Sequence, residues 1–225
     1  MEQVLNIALC MSLCFFAWGF FYIGLHRNGI GYVRHFWITT IYFLTAGSLT
    51  GLIFHEQTLR ALQHPTRQPL VLLAVFMLVQ VAVSLLVPRY VPEPRAYFAQ
   101  YPDRYFLQIN WRRSIAKSAD IASQQVFIVL LITFLHDAGL PLVQTIAGFL
   151  ILFSLLHIPL IANEWGRWPA WVFIGAVVVF SLLFPPLILY VPYGFVYTFM
   201  IHWMFYTVMA VSFWVFHPRF KQLQA

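Results

Sequence analysis

Charge is what this sequence has least of. Only 9% of its 225 residues are Asp, Glu, Lys or Arg, whereas a soluble domain carries about 25%. Such a chain cannot cover a water-facing surface. Cysteine is nearly absent too: Cys10 and Cys14 stand alone. Two thiols at i and i+4 share a helix face and form neither a disulfide framework nor a zinc pattern. They read as small buried side chains. A basic leader is also missing. Glu2 stands where one would be, and no small-x-small cleavage site follows, so the first apolar run reads as a retained helix. There is no internal repeat and no low-complexity tract.

What is present is apolar: 61% of residues are hydrophobic and 19% aromatic. The apolar runs are continuous and do not alternate, which argues against a membrane β-barrel. They predict an all-α polytopic membrane helix bundle, a single membrane domain over 1–225. Seven runs are long enough to span: Val4–Leu25, Phe36–Phe54, Pro69–Val87, Ala119–Leu135, Leu142–Ala162, Ala170 to about Tyr190, and Tyr193–Phe216. The sixth is expected to break at Pro185-Pro186, because proline removes a helical donor and clashes with the preceding turn. Gly47 and Gly51 form a small-xxx-small pair that lets another helix approach closely. Gln80, mid-run in the third span, is expected to hydrogen-bond to a neighbouring helix.

The formal charge of +6 comes from basic residues in the connections, so it reads as topology signalling and not as a nucleic-acid surface. With the N-terminus outside and the C-terminus inside, the inner connections hold Arg27, Arg34, six basic residues between 88 and 118, Arg167, Arg219 and Lys221. That is eleven of the 13 Lys and Arg, leaving only Arg60 and Arg67 outside. Residues 88–118 are the one sizeable polar segment. Their prolines, aromatics and basic residues predict a partly helical, cytoplasmic connection at the headgroup level. The connection His55–Gln68, with Pro65, and the tail His217–Ala225 are polar. His136, in a turn beside Asp137, reads as solvated. Short connections and the basic bias suit a bacterial inner membrane.

Polar groups inside such helices are costly, and they mark functional sites by default. Here they fall in an order. Asp120 and Gln124-Gln125 lie early in the fourth run, Phe153-Ser-Leu-Leu-His157 late in the fifth, and His202-Trp-Met-Phe-Tyr206 in the seventh. This order resembles the CPBP family of intramembrane proteases, which includes CAAX prenyl endopeptidases and bacteriocin-processing and immunity proteins. The family's motifs are EExxxR, FxxxH and HxxxN, on separate helices. The resemblance covers about half the chain, a core at 119–216. Phe153, His157 and His202 match. Gln124 and Gln125 replace the paired glutamates, Val129 the arginine, and Tyr206 the asparagine.

The resemblance implies that a glutamate activates water while the histidines position it and stabilise an oxyanion. Carried over, His157 and His202 keep that role, Tyr206 donates where asparagine would, and Gln124 occupies the position of the base. A glutamine amide can orient water but cannot take its proton. Asp120, one turn before Gln124, is either a displaced carboxylate or the cap of the fourth helix. The histidines could also be plain interhelical hydrogen-bonders, worth about 1 kcal/mol. Two histidines alone make an incomplete zinc site, so no metal or cofactor is expected.

Three readings follow. The first is a degenerate CPBP-like protein with weak or no proteolysis that binds a membrane-anchored protein or peptide among the lipids. The second is an active endopeptidase for membrane-associated or lipidated peptides. The third is a small transporter or lipid-binding bundle, although paired broken helices are lacking. In the expected topology Gln124 and His157 are level, while His202 falls nearer the outer end of the seventh span.

Overall fold

The computed structural model describes residues 1–62, 67–101 and 104–222; Pro65 and residues 223–225 lie outside the described residues. The described residues form helices and no strand. In order they are α1 (Glu2–Gly19), extended by a π-turn at Phe20–Leu25 and a 3-10 turn at His26–Asn28; α2 (Phe36–Ile53); α3 (His55–Leu62); α4 (Arg67–Tyr90); α5 (Arg95–Gln100); a 3-10 turn at Tyr105–Leu107; α6 (Trp111–Asp137); α7 (Leu142–Asn163); α8 (Trp168–Tyr190); and α9 (Gly194–Gln222). Seven helical segments are long and apolar enough to cross a membrane, and they match the seven apolar runs. The protein is an all-α integral membrane bundle.

One helix is central. In its most apolar window α6 is 72% buried, whereas the other six spans are 17% to 44% buried. The reason lies in its composition. Ser114, Lys117, Asp120, Ser123 and Gln125 all lie on α6 and are all buried. Lipid offers them no partners, so the other helices must enclose them. α2 lies closest along α6, and Gly47 is what admits it. A Cβ at Gly47 would sit 3.0 Å from the Ser123 Cα. The close approach that the small-xxx-small pair allows is therefore made to α6. Gln80 bonds across helices as expected, its side-chain oxygen accepting from the Thr207 hydroxyl of α9 at 2.6 Å.

Ion pairs tie the connections at each end of the bundle. Arg60 of α3 meets Asp137 at 2.8 Å. At the other end Arg104 meets Glu164 at 2.8 Å, both buried, with the Arg104 guanidinium 4.5 Å from the Tyr101 ring centroid. Arg104 also donates to the Tyr97 hydroxyl. Burial raises the Tyr97 phenol above its ordinary pKa, and the adjacent guanidinium opposes that rise. Both pairs join connections that seven alternating spans place on one side, which supports the span count.

Three boundaries differ from expectation. α6 starts at Trp111, eight residues before the fourth apolar run, because Asn110 caps it: its side chain accepts from the Arg113 N–H at 2.8 Å. The connection after α4 is accordingly shorter, and it is partly helical. Pro185 and Pro186 lie within α8, which runs on to Tyr190. Membrane helices tolerate such lost donors when neighbouring groups re-satisfy the freed carbonyls. α9 continues to Gln222, six residues past Phe216, the end of the seventh apolar run. Its first residue is glycine because a Cβ at Gly194 would overlap the Leu187 carbonyl.

Candidate functional site

Two buried polar clusters meet α6, one at Asp120 and one at Gln125. The first centres on Asp120, which is 1% exposed. One carboxylate oxygen accepts from Lys117 at 2.7 Å and from the Tyr32 hydroxyl at 2.8 Å. The other accepts from the Gln124 amide at 2.9 Å and the Trp18 indole at 3.2 Å. Four donors from α1, the α1–α2 connection and α6 therefore converge on one carboxylate. A carboxylate has about four lone-pair sites, so this one is saturated. It is not a helix cap. Asn110 holds that role, and Asp120 lies two to three turns further along α6.

The second cluster centres on His202 of α9 and His157 of α7. His202 is 1% exposed, with Phe180 edge-on at 5.3 Å and Tyr206 stacked at 5.7 Å. Its Nδ1 lies 3.3 Å from the Gln125 amide nitrogen. An amide N–H can only donate, so Nδ1 accepts and Nε2 carries the proton. His157 has the opposite tautomer. Its Nδ1 donates to the Phe153 carbonyl at 2.8 Å, which leaves Nε2 as an acceptor. Phe153 also packs on the His157 ring at 4.3 Å. The four-residue spacing of the FxxxH pattern thus holds the imidazole with both ring and carbonyl.

His157, His202 and Tyr206 line one cavity of about 10 Å³, together with Phe153, Phe173, Ala176, Val177, Phe180 and Phe205. That is about the room one water needs. Among the described residues neither Nε2 has a hydrogen-bond partner. The two rings offer one acceptor and one donor, which matches a single water or hydroxyl group. Gln125, whose amide nitrogen faces His202, has its Oε1 buried without a partner among the described residues. Among the described residues no carboxylate lines the cavity.

Lys117 bridges the clusters. Its ammonium is bonded to Asp120 and lies 4.0 Å from the centroid of the Tyr206 ring. The expected site residues therefore divide. His157, His202 and Tyr206 come together around one cavity. Gln124 turns away from the histidines to Asp120, and its neighbour Gln125 reaches His202 instead. His202 is level with Gln125, which removes the depth mismatch: α9 runs antiparallel to α6, with Trp203 on Ser118 at 2.8 Å and Trp214 on Leu107 at 2.9 Å. Lys117, Tyr32 and Trp18 carry no motif. The one signal for the first of them, a lysine three residues before an aspartate, is hidden because Lys117 reads as part of the polar connection at 88–118. Among the described residues no three His, Cys, Asp or Glu side chains gather as metal ligands would.

Comparison with protein-family models, with curated proteins and with solved structures finds no match to this chain.

Proposed function

We propose that this is a CPBP-like integral membrane protein, related to intramembrane endopeptidases, that binds a membrane-anchored protein or peptide without hydrolysing it. The orientation proposed is N-terminus outside and C-terminus inside, in a bacterial inner membrane; the basic bias of the connections supports it. One observation carries the reading: the carboxylate is segregated from the histidines. Asp120 spends its lone pairs on Lys117, Tyr32, Gln124 and Trp18. Among the described residues the histidine cavity is lined by imidazoles and a phenol but by no carboxylate. Imidazole can orient water and stabilise an oxyanion. The carboxylate base that the family uses is replaced by an amide at Gln124 and Gln125. A polar pocket retained without that base fits recognition better than turnover.

The test is cleavage in proteoliposomes, using fluorogenic lipidated and transmembrane peptides. The native protein is expected to release no product above the level of His202→Ala. Product formation that His202→Ala abolishes would overturn the reading in favour of an active endopeptidase. Gln125→Glu sharpens the assay, because it places a carboxylate against the His202 ring.

A further inference from the structure

Where α4 stops and α6 begins there is a cavity of about 520 Å³, within the range of about 300–1,000 Å³ that small-ligand sites occupy. It shares no lining residue with the histidine cavity. Proline creates the gap. Pro88 lies in the last turn of α4, and Pro92 and Pro94 keep the following backbone out of helix. The chain re-enters through the extended cap residue Asn110, so the corner between the two helices stays open.

The walls of this corner are fixed. At its base Ser84 and Ser114 are hydrogen-bonded at 2.6 Å, both buried. Trp214, 3% exposed, is locked by its indole bond to Leu107. Trp111, at the first turn of α6, is 45% exposed. Among the described lining residues the charges are one of each sign, Glu93 and Arg95. Glu93 and Arg95 approach to only 3.4 Å, with side chains 43% and 88% exposed. So long and exposed a contact holds neither group firmly. Three spans end here, at Tyr90, Trp111 and Phe216. That places the cavity at the surface of the hydrocarbon layer, the level tryptophan favours.

We propose that this cavity binds the headgroup of a zwitterionic phospholipid with a primary amine, of the phosphatidylethanolamine class. Arg95 takes the phosphate. Glu93 accepts hydrogen bonds from the ammonium. Trp111, the exposed tryptophan of the lining, receives the glycerol and the first methylenes. An anionic headgroup would meet Glu93 with a like charge. A choline headgroup has no N–H to donate to it. The proposal is independent of what the histidine cavity does.

The experiment is native mass spectrometry of the full chain in detergent. The probes are dioctanoyl phosphatidylethanolamine, phosphatidylglycerol and phosphatidylcholine, with free phosphoethanolamine as competitor. Phosphatidylethanolamine is expected to bind tighter than phosphatidylglycerol by about two- to fivefold, the scale of an exposed charge contact. Glu93→Gln should erase that preference, and Arg95→Gln should weaken both lipids. Both side chains are exposed, so neither change threatens the fold. Equal or tighter binding of phosphatidylglycerol or phosphatidylcholine overturns the proposal, as does a preference that survives Glu93→Gln. Displacement by phosphoethanolamine at the lipid's own concentration would overturn the lipid source and assign the site to a soluble amine phosphate.

Discussion

The two polar clusters on α6 are built from similar material and finished differently. Around Asp120 every lone pair is met by a donor. Around His202 and His157 an amide oxygen and two ring nitrogens lack partners among the described residues. Saturation is what a structural network requires, since an unmet polar group buried in low dielectric costs about 1–3 kcal/mol. An unsatisfied cluster at the same depth adds little to stability, and its open valences have to be explained by what it meets. The contrast separates the hub that ties α1 and the α1–α2 connection to α6 from the pocket that remains available.

The largest expected effect tests the hub. Asp120→Ala removes one acceptor from four donors and leaves Lys117 charged and unpaired in the bundle. Breaking a buried pair this way costs about 3–5 kcal/mol, so the purified variant should show a sharply lowered unfolding temperature in detergent. Lys117→Met/Asp120→Leu removes both charges and should recover about half of that loss. If Asp120→Ala unfolds at the native temperature, the network is not structural and the division between the clusters fails.

A smaller effect compares the tyrosines on either side of Lys117. Tyr32 donates to Asp120, whereas Tyr206 offers its ring face to the ammonium. Tyr32→Phe removes a hydrogen bond to a charged group, worth about 1.5–3 kcal/mol. Tyr206→Phe keeps the ring and should leave stability unchanged within about 0.5 kcal/mol. Thermal unfolding of the two variants side by side checks this, and equal losses would erase the difference between the clusters.

Much of the architecture is legible in the chain. Seven apolar runs give seven spans, Gly47 marks a close approach, and Gln80 finds its interhelical partner. The hub is not legible, for physical reasons. Its donors Trp18 and Tyr32 lie 102 and 88 residues from Asp120, and in a chain with 19% aromatics two more aromatics look like core. The start of α6 is hidden because Trp111 to Ser118 is too polar to read as a span. It is helical because Asn110 caps it and because Arg113 and Lys117 find partners inside the protein. Proline at 185 and 186 signals a break where the bundle tolerates a continuous helix. The histidine pair is readable from its pattern, but which glutamine serves it depends on about 100° of helix rotation between adjacent residues.

That rotation yields the finest test, because Gln124 and Gln125 belong to different clusters. Gln124 is half-buried and bonds the Asp120 carboxylate, so Gln124→Leu should cost about 1.5 kcal/mol, the lower end for a hydrogen bond to a charged group. Gln125 leaves its oxygen unmatched and bonds His202 at a long 3.3 Å. Gln125→Leu removes one satisfied and one unsatisfied group together, so its net effect on stability should be near zero. Its signature is chemical. Without the amide donor nothing fixes His202 Nδ1 as an acceptor, and nitrogen NMR of the imidazole should report a mixture of tautomers in place of the Nε2–H form. Gln124→Leu should leave that spectrum unchanged. If Gln125→Leu destabilises the bundle as much as Gln124→Leu while the tautomer stays fixed, the second glutamine is a packing element and the open valences lie elsewhere. If the two variants separate as expected, one residue step along α6 divides the part of the polar interior that stabilises the protein from the part that is free to recognise a ligand.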